Sequence, residues 1–364
     1  MTVSDSELAA LPKIVLHDHL NGGLRPATIL ELADASGWHL PETDAGALGA
    51  WFVQAASAGS LPRFLQTFEH TVAVMQTRAN LERVAREAVL DLADDGVIYA
   101  ELRLAPELHV SEGLALQEVV DAVRAGVADG VAEAGDAGHE IRVGTILTAM
   151  RHAGRSLEIA GLALANRGRG CVGFDIAGPE LGFPPSRHAE AFALLRNALF
   201  PTTIHAGEAD GPSSIAGAVG LGSARRVGHG LRIVEDIRGA DTNEPRFGTI
   251  AAFIRDNGIP LELCPTSNVQ TGAARSISEH PITLLQTLGF VVTVNPDNRL
   301  MCGTSQLREM ARLVAQAGWT IADLKAATLA AAWAAFQPYE VRGDLADVVL
   351  AGFGGRPSVP DREG

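Results

Sequence analysis

An alternation constrains this chain more than any other feature: eight short β-branched or apolar runs are separated by longer stretches of helical period. The runs are Ile14 to Leu20, Val97 to Leu104, Ile141 to Met150, Cys171 to Ala177, Thr202 to Ala206, Arg226 to Gly230, Pro260 to Pro265 and Phe290 to Asn295. Between them, stretches such as Asn80 to Asp94, Ala115 to Ala134 and Ala189 to Leu199 are amphipathic and long enough for crossover helices. Eight such units predict an α/β chain closed into a (β/α)8 TIM barrel, a single domain over residues 8–350. An open doubly wound sheet is the alternative, but it carries a Gly-rich phosphate loop after its first strand, and His17-Asp18-His19 stands there instead. The segment from Trp38 to Gln76 exceeds an ordinary βα loop and places Phe64, Phe68, Val72 and Met75 at helical spacing. It reads as a helical insertion after the first strand that covers the active site. Leu61, Phe64 and Leu65 are expected to face a substrate, and the others to pack the helix down. Gly239 to Arg246 reads as a loop, and residues 351–364, rich in Gly, Pro and charge, as a loosely ordered C-terminal tail.

Composition narrows the partners. Among 364 residues, 43 acidic side chains outnumber 29 basic ones, for a net charge of −14. That sign opposes any surface that must neutralise phosphates, which argues against nucleic acid and anionic membrane but leaves a neutral small molecule acceptable. The acidic start, MTVSDSELAALPK, has neither the basic nor the apolar region of a secretory signal, and no long uncharged apolar run follows, so the chain is expected in the cytoplasm. Cys171, Cys264 and Cys302 lie far apart and in no C-x-x-C pair, which fits a reducing compartment and argues against a thiolate zinc site. A metal here must use His and carboxylate ligands.

Polar residues crowd the carboxyl ends of the expected strands, where a barrel builds its active site. In strand order they are His17 and His19, Glu101, His152, Asp175, His205 with Glu208, His229, and Asp297 after the eighth run. Two His at i and i+2 of a strand share a face, so His17 and His19 both point into the barrel mouth. His205, His229 and Asp297 fall at three further strand ends, and a catalytic zinc needs three or four N/O ligands from such a set with an open water position. For His70, His109, His152 and His188 the plainer reading is preferred, a core imidazole satisfied by backbone carbonyls. Two-metal barrel hydrolases commonly bridge their ions with a carbamylated lysine on a middle strand. Here the only lysines, Lys13 and Lys325, lie far from strands three to five, so one zinc per chain is expected. Zinc brings its water near neutral pKa. Glu208 is placed to give or take a proton at the substrate, and His229 to hold the hydroxide by a hydrogen bond.

The segments KIVLHDHLNGGLRPATIL, GFDIAGPELGFPP, TIHAGE, RVGHG, LCPTSNVQTG and TVNPDN, in this order over about residues 10 to 345, resemble the adenosine deaminase family in its bacterial branch. The resemblance implies a (β/α)8 barrel with one Zn2+ held by His17, His19, His205 and Asp297. It implies that Glu208 protonates purine N1 and that His229 orients the hydroxide attacking C6. Adenosine or 2'-deoxyadenosine would then give inosine or 2'-deoxyinosine and ammonia. It also implies substrate contacts from His19, from Asn298 to N7 and from the Gly178 backbone N–H to N3. Elementary chemistry agrees, because attack at C6 drives negative charge onto a ring nitrogen, which one acid beside an activated water can neutralise. Asn298 offers a permanent N–H to an acceptor such as N7.

Two departures bear on the substrate and the metal. The family's H-x-H-L-D-G reads His17-Asp18-His19-Leu20-Asn21-Gly22, so Asn21 stands where the family's aspartate accepts the ribose 5'-hydroxyl. That keeps a second reading open, deamination of another 6-aminopurine such as adenine, a 5'-modified adenine nucleoside or a specialised-metabolism analogue. Pro296 precedes Asp297 where the family usually has threonine, and it removes one backbone donor. A purine-binding paralogue without turnover is a third reading, opposed by the intact set of ligands, acid and His229. The cytidine-deaminase patterns H-x-E and P-C-x-x-C are missing.

Overall fold

All eight apolar runs form parallel strands in the structure, a computed structural model that describes residues 4–240, 242 and 244–354. They are β1 (Lys13–His19), β2 (Val97–Leu104), β3 (Arg142–Met150), β4 (Cys171–Ala177), β5 (Thr203–Ala206), β6 (Arg226–His229), β7 (Leu261–Leu263) and β8 (Val292–Val294). β1 to β4 pair in chain order as one four-stranded parallel sheet, and β5 to β8 pair in chain order as a second. Single parallel bridges join the two sheets at both edges, Asp18 to Asp297 and Phe174 to Thr202. The expected barrel is therefore present as two half-rings whose ladders do not close continuously. At the β8–β1 edge the reason is local: β8 ends at Val294, and Pro296 has no N–H to extend the ladder. What holds β1 against this segment is a pair of backbone bonds, His19 N–H to the Asp297 carbonyl at 2.8 Å and Asp297 N–H to the His17 carbonyl at 3.0 Å. Pro260 and Pro265 bracket β7 in the same way and cut it shorter than its apolar run.

Side chains alternate along each strand. Ile14 and Leu16 of β1 pack outward with Ala331, Ala332 and Ala335, from the helix Ile321–Ala334 and its C-cap. The interior is unusually charged, and buried charges persist only when paired. Glu262, between Leu261 and Leu263, accepts from Arg103 (2.9 Å), Arg226 (2.6 Å), Thr203 (2.9 Å) and the His17 ring (2.9 Å). Burial alone would raise its pKa, but the guanidiniums of Arg103 and Arg226 hold it well below the usual carboxylate range. Glu101 does not reach the carboxyl end where the sequence placed it. Its carboxylate pairs with Arg226, the first residue of β6, and accepts from the Phe336 N–H (2.7 Å) and the Tyr99 hydroxyl (2.8 Å). It belongs to the lower interior, beneath the site.

The insertion after β1 is built of three helices, Ala45–Ala56, Leu61–Gln66 and Phe68–Ala73, rather than one. The last two break at Thr67, whose N–H (3.1 Å) and hydroxyl (2.7 Å) both take the Phe64 carbonyl and tighten the turn there. Arg246 of the expected loop instead pairs with Arg238 in a two-residue hairpin; residues 241 and 243 lie outside the described residues. The last helix, Tyr339–Gly352, runs two residues into the segment read as a tail, of which residues 355–364 lie outside the described residues. Among the described residues no helix is long and apolar enough to cross a membrane.

Candidate metal centre and active site

Four side chains converge where the strands end. His17 and His19 leave β1 on one face, His205 comes from β5, and Asp297 follows β8. Their donor atoms all lie within 4.8 Å of one another. His17 Nε2 is 3.2 Å and His19 Nε2 3.4 Å from Asp297 Oδ1, and the Nε2 atoms of His19 and His205 are 3.2 Å apart. The other nitrogens explain the aim: His17 Nδ1 is bound by Glu262 at 2.9 Å, and His205 Nδ1 by Asp175 at 2.8 Å. A carboxylate behind each ring fixes the proton on Nδ1 and turns the Nε2 lone pair inward. Burial, with neighbouring positive charge, keeps His19 and His205 well below the usual imidazole range, so they are neutral. Burial pushes the Asp297 carboxyl up, but His17, the one imidazole of the group whose own pKa is raised, leads the groups that hold it well below the usual carboxylate range. His17 Nε2 and Asp297 Oδ1 are buried and make no hydrogen bond. Inward lone pairs and a carboxylate oxygen at such distances repel unless a cation sits among them. Three imidazoles and one carboxylate are a donor set that suits zinc.

His229, Cys264 and Asp297 form a second close group that shares Asp297. Burial pushes the Cys264 thiol well above its ordinary range, and its Sγ lies 3.5 Å from the Glu262 carbonyl oxygen. His229 (φ 60°) and Asp297 (φ 62°) both sit in the left-handed region that non-glycine residues seldom adopt. Such strain persists where surrounding contacts impose it, commonly at functional sites. Pro296 leaves the Asp297 carboxylate among the imidazoles.

Glu208 lies beside this centre, with its Oε2 3.7 Å from His229 Nε2 and its Oε1 accepting from the Thr271 hydroxyl at 3.1 Å. Burial first, then the negative charges of Asp297 and Glu180, raise it well above the usual carboxylate range, which favours its proton-bearing form. Its turn is anchored by Glu180, whose carboxylate accepts the backbone N–H groups of Gly207 (2.6 Å), Glu208 (3.1 Å), Ala209 (2.6 Å) and Asp210 (2.9 Å).

These groups open into a cavity of about 520 Å³. Asn21, Gly178 and Asn298 line it beside the converging imidazoles, and Leu61, Phe64 and Leu65 line it from the insertion. Asn298 Oδ1 is buried without a partner against Gly22, where any Cβ would collide with it. Gly178 adopts φ 104°, open to glycine. Phe68 and Val72, read from sequence as helix packing, also line the cavity, whereas Met75 is buried away from it. The Thr148 hydroxyl, near the end of β3, faces the cavity residues and is buried without a partner; its strand-end position was the available signal. Of the four histidines read as core, His109 and His188 are buried against the carbonyls of Met75 (3.0 Å) and Arg151 (3.1 Å). His70 is half-buried and accepts from Trp38, and His152 is exposed at the cavity, because the chain turns outward just past β3. A larger hollow, about 760 Å³, lies at the opposite end near Cys171 and Arg226, with no carboxylate or imidazole in its walls among the described residues.

A parallel α/β scaffold with three imidazoles and a carboxylate at its strand ends, beside a buried acid, has the features of a metal-dependent hydrolase. The family profile described as adenosine deaminase matches residues 12–351. Over 354 residues the chain is 54% identical to adenosine deaminase 1 of Streptomyces coelicolor, covering 97% of this chain and 89% of that protein. Among solved structures it is similar to adenine deaminase from Arthrobacter aurescens, with TM-score 0.81, 26% identity and coverage of 93% of this chain and 98% of that one. Arabidopsis ADAL complexed with IMP is also similar, with TM-score 0.80, 26% identity and coverage of 95% and 98%. The chain belongs to the adenosine deaminase family.

Proposed function

We propose that this protein hydrolyses adenosine and 2'-deoxyadenosine to inosine or 2'-deoxyinosine and ammonia, using one zinc ion held by His17, His19, His205 and Asp297. The observation that carries this reading is the buried Glu208, its proton-bearing form favoured, set against the four converging donors at the floor of a cavity. Zinc bound there supplies Lewis acidity that makes water a nucleophile near neutral pH. Glu208 gives its proton to purine N1 as C6 is attacked, which neutralises the charge developing on the ring. His229 directs the attacking water. Asn298 donates to N7, the Gly178 N–H donates to N3, and Asn21 meets the ribose 5'-hydroxyl with a neutral amide. His19, Leu61, Phe64 and Leu65 pack against the ligand. Residues 8–350 form one catalytic domain, the two half-rings being the halves of a (β/α)8 barrel capped by the insertion.

Similar structures carry names that point to adenine or contain a purine nucleotide, so the cavity must discriminate. Among the described residues its walls hold Glu69, Glu208 and Asp297 but no lysine or arginine, which disfavours a 5'-phosphate. At about 520 Å³ it also has room for a ribose beyond the base. The test is kcat/KM from ammonia release for adenosine, 2'-deoxyadenosine, adenine and AMP. The two nucleosides should exceed both others by on the order of 100-fold. Comparable or better turnover of AMP or adenine would contradict the assignment.

A further inference from the structure

We infer that Asn268 and His280 are positioning residues that decide which ring nitrogen of His229 carries its proton, so that His229 meets the reacting oxygen as a hydrogen-bond donor. This rests on the reading above, in which His229 faces the attacking water. The chain of bonds starts at a group with no choice. The Ile282 backbone N–H lies 3.1 Å from His280 Nδ1, and a backbone N–H can only donate. His280 Nδ1 is therefore an acceptor. Burial pushes the His280 pKa down to about 3, so the ring is neutral and its single proton is on Nε2.

That Nε2–H lies 3.1 Å from Asn268 Oδ1, and the Cys264 backbone N–H donates to the same oxygen at 3.4 Å. Two donors fix which end of the Asn268 amide is oxygen. The other end, Nδ2, lies 3.0 Å from His229 Nδ1 and must donate. His229 Nδ1 then accepts, which leaves its proton on Nε2, the atom turned toward Glu208. Asn268, His229 and His280 are all buried, so no competing solvent bond scrambles the order. In this state Nε2 has no lone pair to take a proton from water. Its part is to orient the nucleophile by donation.

The experiment is ¹⁵N-histidine NMR on the zinc-loaded protein, with the His229 signals identified by their loss in His229→Ala, alongside steady-state kinetics. The native protein should show His229 protonated at Nε2 and bare at Nδ1. Asn268→Asp exchanges the donor for an acceptor, so the proton should move to Nδ1 and kcat should fall by on the order of 100-fold, with KM and zinc content nearly unchanged. If that variant does not fold, Asn268→Ala removes the fixed donor, and kcat should fall about tenfold. The inference is overturned by a native His229 protonated at Nδ1, by an Asn268→Asp protein whose proton stays on Nε2, or by near-native kcat in the variant that folds. His229→Ala at native turnover defeats the role of His229 itself, a separate failure.

Discussion

Three carboxyl groups share the mouth of this molecule and their surroundings give them different work. Asp297 is held low by the groups around it, led by His17, Glu180 is occupied by four backbone amides, and Glu208 is buried beside both of them. Burial holds Glu208 well above the usual carboxylate range, which favours the proton-bearing form a donor needs. Glu208→Gln keeps shape and hydrogen bonding but removes that proton. It should leave zinc content and thermal stability near native while kcat drops by on the order of 100-fold or more. Native turnover in this variant would place the acid elsewhere. The convergence of His17, His19, His205 and Asp297 was legible from sequence because i, i+2 histidines and strand-end positions have geometric consequences. Glu262 and Arg103 were not, since one charged residue in an apolar triplet such as Leu261-Glu262-Leu263 gives no sign of facing a ligand from behind. Asp175 was noticed at its strand end, but its position behind His205 became visible only when β4 and β5 were brought side by side.

At the level of elements, the insertion divides its side chains between cavity and core. Leu65 lines the cavity and is only partly buried, whereas Met75 is fully buried away from it. Leu65→Ala should therefore raise KM for adenosine several-fold with little change in Tm. Met75→Ala should cost about 2–5 kcal/mol of stability and leave KM near native. Thermal melts and steady-state kinetics on the two proteins check this, and equal effects on KM would show that the helix does not form the cavity wall. Helical spacing revealed that Phe64, Phe68 and Val72 lie on helix but not which faced inward, because the chain breaks at Thr67 into two short helices; Met75 falls beyond the second, which ends at Ala73. Strand positions were read well from β2 and β4, long apolar runs, and less well from β7 and β8, where prolines truncate the ladder.

The whole molecule places its charged interior and its metal donors in one continuous column. Arg226 and Glu101 occupy the lower part, Glu262 joins them to His17, and His17 faces Asp297 across the edge where the two sheets meet. One wall of the metal centre is thus the seam itself, held by the backbone bonds between His17, His19 and Asp297. Lys13 is spent at the other end of β1 on the carbonyls of Ala9 (3.0 Å) and Leu11 (2.8 Å), so it is remote from the mouth and cannot bridge a second ion. The account stands on one metal ion at this seam. Its most direct test is elemental analysis of protein purified without added metal, read with deaminase activity before and after chelation. The expected result is about one zinc per chain, with activity lost on chelation and restored by zinc, and no retained metal in His19→Ala. Two metals per chain, or full activity after thorough chelation, would contradict it.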